Sequence, residues 1–111
     1  MTPGKMAAQA GHAYLDAYLK AMETNPLKAK KYNSDGPGTK IALEVKNSDH
    51  LQLIYQETLL AAVPCAIIED SGHIIKGDKN FTGEPVITAL GIGPATRGEI
   101  KHITKKLKLV R

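Results

Sequence analysis

Three polar side chains near the start of the chain have types and spacing that can do chemistry. Lys5, Gln9 and His12 stand at positions i, i+4 and i+7, which places them within about 60° of one another on a helix of 3.6 residues per turn. An ammonium can bind an anion, an amide can hold a water molecule, and an imidazole can act as a general base. The residues alone favour a solvated helix edge, and a shared cleft is the alternative.

A fourth candidate, Asp70, stands where a short apolar run over residues 65–69 meets the turn Asp70-Ser71-Gly72. The end of a strand is the usual place for an active-site side chain in an open α/β sheet. The alternative is an Asx turn, in which the carboxylate bonds to nearby backbone N–H groups. Local chemistry alone favours the turn.

The first three candidates lie in a predicted helix that begins at residue 2 or 3 and runs to about Glu23. Thr2 followed by Pro3 is typical of an N-cap and a first helical position, because proline lacks an N–H that would have no partner there. Alanines on the broad apolar face of this helix allow close approach, so we expect it to pack on a sheet. One more basic turn is expected over residues 27–32.

Strands and a second helix follow. Alternating apolar residues predict a strand over 41–46, an apolar run predicts a central strand over 65–69, and residues 86–92 predict another. Helical spacing predicts a helix over about 49–62, with Ser48 as its N-cap.

The last predicted helix starts at Thr96, since Thr96 and Glu99 have the spacing of a capping box. Its apolar stripe consists of Ile100, Ile103, Leu107 and Val110. The order of these elements predicts a single α/β domain over residues 1–111.

Composition narrows the classes of function. A length of 111 residues excludes two independent hydrophobic cores. The 15 Lys and Arg outnumber the 11 Asp and Glu, and the resulting net charge of +4 permits an anionic partner. One cysteine, Cys65, excludes an internal disulfide, and the scattered histidines predict no metal. We also expect no cofactor. No apolar run approaches the roughly 20 residues of a membrane span, and we expect no signal peptide before the first helix. We therefore expect a soluble cytoplasmic domain with no membrane partner.

Four segments, taken in order, resemble a known family. Residues 4–13, GKMAAQAGHA, resemble the G-K-x-A-A-Q-x-x-H-A signature of the archaeal and eukaryotic type of peptidyl-tRNA hydrolase. Residues 67–72, IIEDSG, resemble that family's strand ending in a Q-D-A-G turn. Residues 88–94, TALGIGP, are similar to its T-x-L-A-I-G-P strand, and residues 107–109 to its closing L-K-L. The resemblance implies a small mixed β-sheet with helices on both faces, in three layers (α/β/α).

The sequence departs from this family's pattern in two places. The family normally has a hydrophobic strand before the G-K segment, whereas Gly4 is here preceded by three residues. Either the chain is a fragment or has a shortened start, or its sheet is completed in another way. Ile74 stands where the family has a threonine, and the segment from Asp70 to Pro94 is several residues longer than usual. Thr82 is the candidate to replace the missing hydroxyl and to contact the substrate.

The resemblance implies an ester hydrolase that releases peptide and tRNA from peptidyl-tRNA without a metal. It favours Lys5, His12 and Asp70 as catalytic residues, and it leaves Gln9 evenly balanced between binding the substrate and lining a solvated edge. It also implies a homodimer.

Two further groups are candidates for tRNA binding. Gly93 leads to the helix start at Thr96, where free N–H groups can receive a phosphate, although a plain turn is the favoured interpretation. Arg97 and Lys101 belong to a basic set of six residues near the end of the chain, for which a solvated helix face is favoured and a contact with the tRNA backbone is the alternative. The set consists of Arg97, Lys101, Lys105, Lys106, Lys108 and Arg111.

Two other functions remain open from the sequence. Ile74 and the long segment before residue 86 are consistent with a catalytically impaired relative that binds tRNA or another RNA. The missing first strand is consistent with an inactive fragment or with a subunit that a partner completes.

Overall fold

The computed structural model describes residues 2–36, 38–70 and 86–110. The helices of this part are α1 (Pro3–Thr24), α2 (Pro26–Ser34), α3 (Ser48–Leu60) and α4 (Arg97–Thr104). The strands are β1 (Leu43–Glu44), β2 (Cys65–Asp70), β3 (Val86–Ile92) and β4 (Lys108–Leu109).

Helix α1 begins and ends where local signals predict. Thr2 Oγ1 accepts a hydrogen bond from the Lys5 N–H at 3.2 Å, and Pro3 occupies the first turn. Asn25 ends the helix, where its N–H donates to the Ala21 carbonyl at 2.7 Å, and its side chain caps α2 by accepting from the Lys28 N–H at 3.4 Å. A single residue therefore joins the two helices.

Helix α1 packs directly on the antiparallel ladder formed by β2 and β3. The approach is so close that a Cβ added at Gly91 would lie 2.0 Å from the Ala13 carbonyl oxygen. Ala13, Ala17 and Ala21 are buried on the helix, which confirms the expected packing of an alanine-rich face on a sheet. A register irregularity between Ile68 and Glu69 interrupts the ladder.

The opposite face of this ladder is also covered. Cys65 pairs with Ile92, one position from the Ala66–Gly91 pair that faces α1, so alternation directs Cys65 to the other side. Its side chain is only 6% exposed, and α3 contacts both strands. The N-cap of α3 is Asn47, which accepts from the His50 N–H at 2.8 Å, so the prediction of Ser48 as the cap was wrong by one residue.

The last predicted helix was too long. Helix α4 ends at Thr104, and residues 108–109 instead pair with residues 43–44 in a second antiparallel ladder. The Val110 N–H extends this pairing to the Ala42 carbonyl at 3.0 Å. Backbone hydrogen bonds to a distant strand thus prevail over the helical period of the apolar side chains.

The α/β class is confirmed. Within residues 2–36, 38–70 and 86–110 the strands form two separate antiparallel ladders, β1–β4 and β2–β3, where the sequence predicted one mixed sheet. None of the helices described is long and apolar enough to span a membrane.

Candidate functional site

A cleft of about 260 Å³ opens between α1 and the second half of β2. Helix α1 contributes Gln9, His12 and Asp16 to its lining, and β2 contributes Ile67, Ile68 and Glu69. We call it the α1–β2 cleft. Of the predicted set Lys5, Gln9 and His12, it contains Gln9 and His12 but not Lys5.

Gln9 forms the buried wall of the α1–β2 cleft. Its exposed fraction is 8%, and its Oε1 accepts a hydrogen bond from Thr88 Oγ1 at 2.7 Å. The same hydroxyl lies 3.4 Å from the Ile68 carbonyl oxygen, but a threonine hydroxyl has one proton and the shorter contact is the stronger. The bond from β3 therefore fixes the plane of the Gln9 amide, and with it the direction of the amide's NH₂ donors.

Sequence reasoning missed Thr88 as a site residue. Thr88 was noted only as the first residue of a family-like strand, yet it is the one hydroxyl within the apolar strand Val86–Ile92. A polar side chain at such a position is a usable signal, because a partly buried hydroxyl requires a partner. Asp16 and Glu69 were also missed, although Asp16 continues the polar stripe of α1.

His12 and Lys5 occupy more open positions on α1. His12 is exposed and lines the cleft, one turn from Gln9. Lys5 is exposed in the first turn, and it does not belong to the lining residues. The structure therefore brings His12 and Gln9 together and places Lys5 one turn beyond Gln9.

Asp70 is the last residue of β2, where its backbone pairs with Val86. The residues immediately before it, through Glu69, line the cleft. The Asp70 side chain lies outside the described part of the structure, as do Ile74 and Thr82. The predicted roles of Asp70 and Thr82 stay predictions.

The start of α4 is already capped by the chain itself. Thr96 Oγ1 accepts from the Glu99 N–H at 3.3 Å, and Glu99 Oε1 accepts from the Thr96 N–H at 2.8 Å. Gly93, with φ of +106°, turns the chain before this helix, and its N–H donates to the Pro64 carbonyl at 2.7 Å. These bonds support the plain-turn interpretation of Gly93.

Arg97 and Lys101 are exposed on α4 and do not line the α1–β2 cleft. Helix α4 packs on α3 and buries Ile103, and its Glu99 also forms an ion pair with Lys28 of α2. The Lys28 hydrogen bond is the main reason that the pKa of Glu99 falls to about 2, and the bond from the Thr96 backbone adds to it. Glu99 is thus a structural carboxylate.

Cys65 is buried and unpaired, and burial raises the pKa of its thiol. A protonated, buried thiol is a poor nucleophile, which supports the predicted core role. In the ranges 2–36, 38–70 and 86–110, no group of three or more His, Cys, Asp or Glu side chains could hold a metal ion.

Comparison with known proteins identifies the relatives of this chain. The family model described as Peptidyl-tRNA hydrolase PTH2 matches residues 1–110. A peptidyl-tRNA hydrolase of Methanococcus vannielii is 36% identical over 110 residues, which cover 99% of this chain and 89% of that protein. One of Sulfolobus acidocaldarius is 34% identical over 116 residues, 99% of this chain and 90% of the relative.

A eukaryotic relative is similar over the same span. A probable peptidyl-tRNA hydrolase 2 of Schizosaccharomyces pombe is 32% identical over 111 residues, which cover 98% of this chain and 50% of that protein. The resemblance seen in four segments is confirmed over nearly the whole chain. This chain belongs to the peptidyl-tRNA hydrolase PTH2 family.

Proposed function

We propose that this chain hydrolyses the ester bond of peptidyl-tRNA, releasing free peptide and reusable tRNA. Membership of the family supports this reaction. The structural observation that carries it is the partly buried Gln9–Thr88 hydrogen bond at the wall of a cleft that His12 also lines. Ester hydrolysis requires a group that orients water and a group that stabilises the oxyanion, and this cleft offers a fixed amide beside an imidazole.

In this proposal each side chain has a separate task. The Gln9 amide, held by Thr88, orients the attacking water or a ribose hydroxyl. His12 accepts the proton of that water or contacts the terminal adenosine, and Asp70, at the end of β2, polarises the water or positions His12. Lys5 binds the oxyanion or a nearby phosphate, as a flexible ammonium can from the first turn of α1.

The tRNA-binding roles of Thr82, Gly93, Arg97 and Lys101 remain part of the proposal as candidates. The exposure of Arg97 and Lys101 suits contacts to phosphates. The alternative function, a catalytically impaired RNA-binding relative, rested on Ile74 and the long segment before residue 86, both outside the described part of the chain. The comparisons do not favour it.

The test is turnover of N-acetylated aminoacyl-tRNA by the purified chain. We expect the parent to release the N-acetylated amino acid, and Asp70→Ala and His12→Ala to lose activity by about 100-fold or more, the usual range for a general base. His102→Ala is the matched control, because His102 is exposed on α4 and does not line the cleft. Circular dichroism confirms folding, and a folded parent without activity overturns the proposal.

We also propose that the chain forms a homodimer and acts in the cytoplasm, where peptidyl-tRNA is produced by translation. In support of association, α1 exposes Leu15 by 56%, Leu19 by 51% and Met22 by 38%, and their spacing places them on one stripe. Sedimentation of the parent and of Leu19→Glu tests the dimer. A parent that sediments as a monomer at all concentrations removes it.

A further inference from the structure

We propose that a second cleft binds phosphate groups of the RNA backbone, away from the hydrolytic residues. This cleft, of about 310 Å³, lies where the β1–β4 ladder meets the first turn of α3. We call it the β1–β4 cleft. The charged and titratable side chains of its lining are Glu44, Lys46, His50, Lys106 and Lys108.

The β1–β4 cleft has an unbalanced positive charge. It combines three lysines with one carboxylate, that of Glu44. The ion pairs within the described residues are Lys20–Glu23, Lys28–Glu99 and Lys31–Asp35. None of them includes a lysine of this cleft, and Glu44, the cross-strand neighbour of Lys108, is the one opposing charge in its lining.

His50 adds a fourth donor to the cleft. The backbone N–H of Lys46 donates to His50 Nδ1 at 3.1 Å, so a neutral imidazole here carries its proton on Nε2. The Asn47 cap holds the His50 backbone in place. The imidazole therefore presents an N–H in either protonation state.

This chemistry suits phosphates better than bases or a fitted small molecule. Lysines are point charges on flexible stems, which bind phosphate without a fixed geometry. Positive charge of this kind is the main requirement for binding RNA through its phosphates. The lining residues include no aromatic side chain that could stack on a base.

The two clefts have separate linings. The α1–β2 cleft is lined from α1 and β2, and the β1–β4 cleft from β1 and the two residues after it, α3, β4 and the turn before β4. In this proposal one substrate molecule places its ester in the first cleft and backbone phosphates in the second. The identity of the RNA as tRNA rests on the proposed function, whereas the phosphate site itself does not.

The test compares two triple variants that remove the same amount of charge. The cleft variant carries Lys46→Gln, Lys106→Gln and Lys108→Gln. The control variant carries Lys20→Gln, Lys30→Gln and Lys31→Gln, whose lysines are exposed on α1 and α2. Binding of deacylated tRNA is measured against salt concentration, and KM and kcat are measured with N-acetylated aminoacyl-tRNA. We expect the cleft variant to lower the slope of log K against log salt by about 2, at roughly 0.7 to 0.9 per phosphate, and to raise KM about tenfold with kcat unchanged. The control variant should change the slope much less.

A second test looks for a gain of affinity for tRNA, which a misfolded variant would not show. Glu44→Gln removes the one carboxylate of the cleft and should tighten tRNA binding a few-fold at low salt. Equal losses in the two triple variants, or no gain in Glu44→Gln, would overturn the phosphate site. A parent that binds tRNA through this cleft but cleaves no ester would overturn the proposed hydrolysis alone.

Discussion

The α1–β2–β3 unit and the β1–β4 corner differ in how closely their parts pack. In the first, α1 lies so near β3 that Gly91 has no space for a side chain, and Gln9 and Thr88 share a 2.7 Å hydrogen bond. In the second, each strand pairs through two residues, and Leu109 is 61% exposed. The candidate hydrolytic cleft belongs to the closely packed unit, and the lysine-rich cleft belongs to the open corner.

This difference matches the demands of the two proposed tasks. Orienting a water molecule requires groups held to a fraction of an ångström, which close packing and a partly buried hydrogen bond provide. Binding a phosphate backbone requires charge, and a flexible lysine on a short ladder is sufficient. The comparison predicts that substitutions in the first region change geometry and kcat, and that those in the second change salt dependence and KM.

The largest expected effect is that of Gly91→Ala. The new methyl group would meet the Ala13 carbonyl of α1, so α1 must move or the strand must bend, at a cost of about 3 kcal/mol in the free energy of unfolding. Gly11→Ala is the control, because Gly11 lies on α1 and a Cβ added there would have nothing within 4 Å. It should stabilise the chain by about 1 kcal/mol. Urea denaturation measures both, and equal stabilities would show that close approach does not hold α1 in place.

The next effect in size is that of Thr88→Val, which leaves the buried Gln9 carbonyl without its hydroxyl donor. Loss of a hydrogen-bond donor to a buried carbonyl costs about 1 to 3 kcal/mol, and we expect kcat to fall about tenfold or more while KM changes little. Thr88→Ser should restore most of the activity, since it restores the hydroxyl.

Thr58→Val is the matched control for Thr88. The Thr58 hydroxyl is fully buried and donates to the Ile54 carbonyl at an equal 2.7 Å, but it lies on α3, away from the α1–β2 cleft. Its loss should lower stability and leave kcat unchanged. If both variants lose kcat to the same degree, the effect comes from general destabilisation and not from the direction of the Gln9 amide.

A smaller effect is expected at the end of α3, the helix that connects the two regions. Ala62 has φ of +57°, a left-handed conformation that costs an alanine roughly 1 kcal/mol or more. Ala62→Gly should therefore stabilise the chain by about 0.5 to 1 kcal/mol and leave both clefts unchanged. Ala61→Gly, at φ of −80°, should destabilise it by a similar amount. Thermal unfolding distinguishes the two, and a loss of stability in Ala62→Gly contradicts the prediction.

Local signals made the elements of the first region predictable. The Thr2-Pro3 start of α1, the strand at Cys65 and the strand Val86–Ile92 lie within a residue or two of their predicted bounds, because caps, prolines and apolar runs act over a few residues. The Thr96–Glu99 capping box was predictable for the same reason.

Partners distant in sequence explain what could not be predicted. The helical period placed Gln9 on a polar edge, but Gln9 is buried and accepts a hydrogen bond from Thr88, 79 residues away. Leu107 and Val110 fit a helical stripe, yet the pairing of β4 with β1 ends the helix at Thr104. Periodicity describes one element at a time and contains no information about the element opposite.

The smallest expected effect concerns acid stability, at the contact between α2 and α4. The Lys28 hydrogen bond holds the pKa of Glu99 at about 2 instead of the ordinary 4.5. A carboxylate with a lowered pKa in the folded state stabilises the fold above its unfolded pKa, and this contribution is lost as pH falls through the folded pKa. Glu99→Gln, which keeps a capping-box acceptor, should therefore flatten the dependence of the free energy of unfolding on pH between about pH 4.5 and 2.

Glu23→Gln is the control, since the Glu23 side chain is 74% exposed and its carboxylate lies 3.9 Å from the Lys20 ammonium. Urea midpoints across this pH range measure the difference, which salt should reduce because the pair is partly exposed. Parallel profiles for the parent and Glu99→Gln would mean that the ion pair does not stabilise the contact.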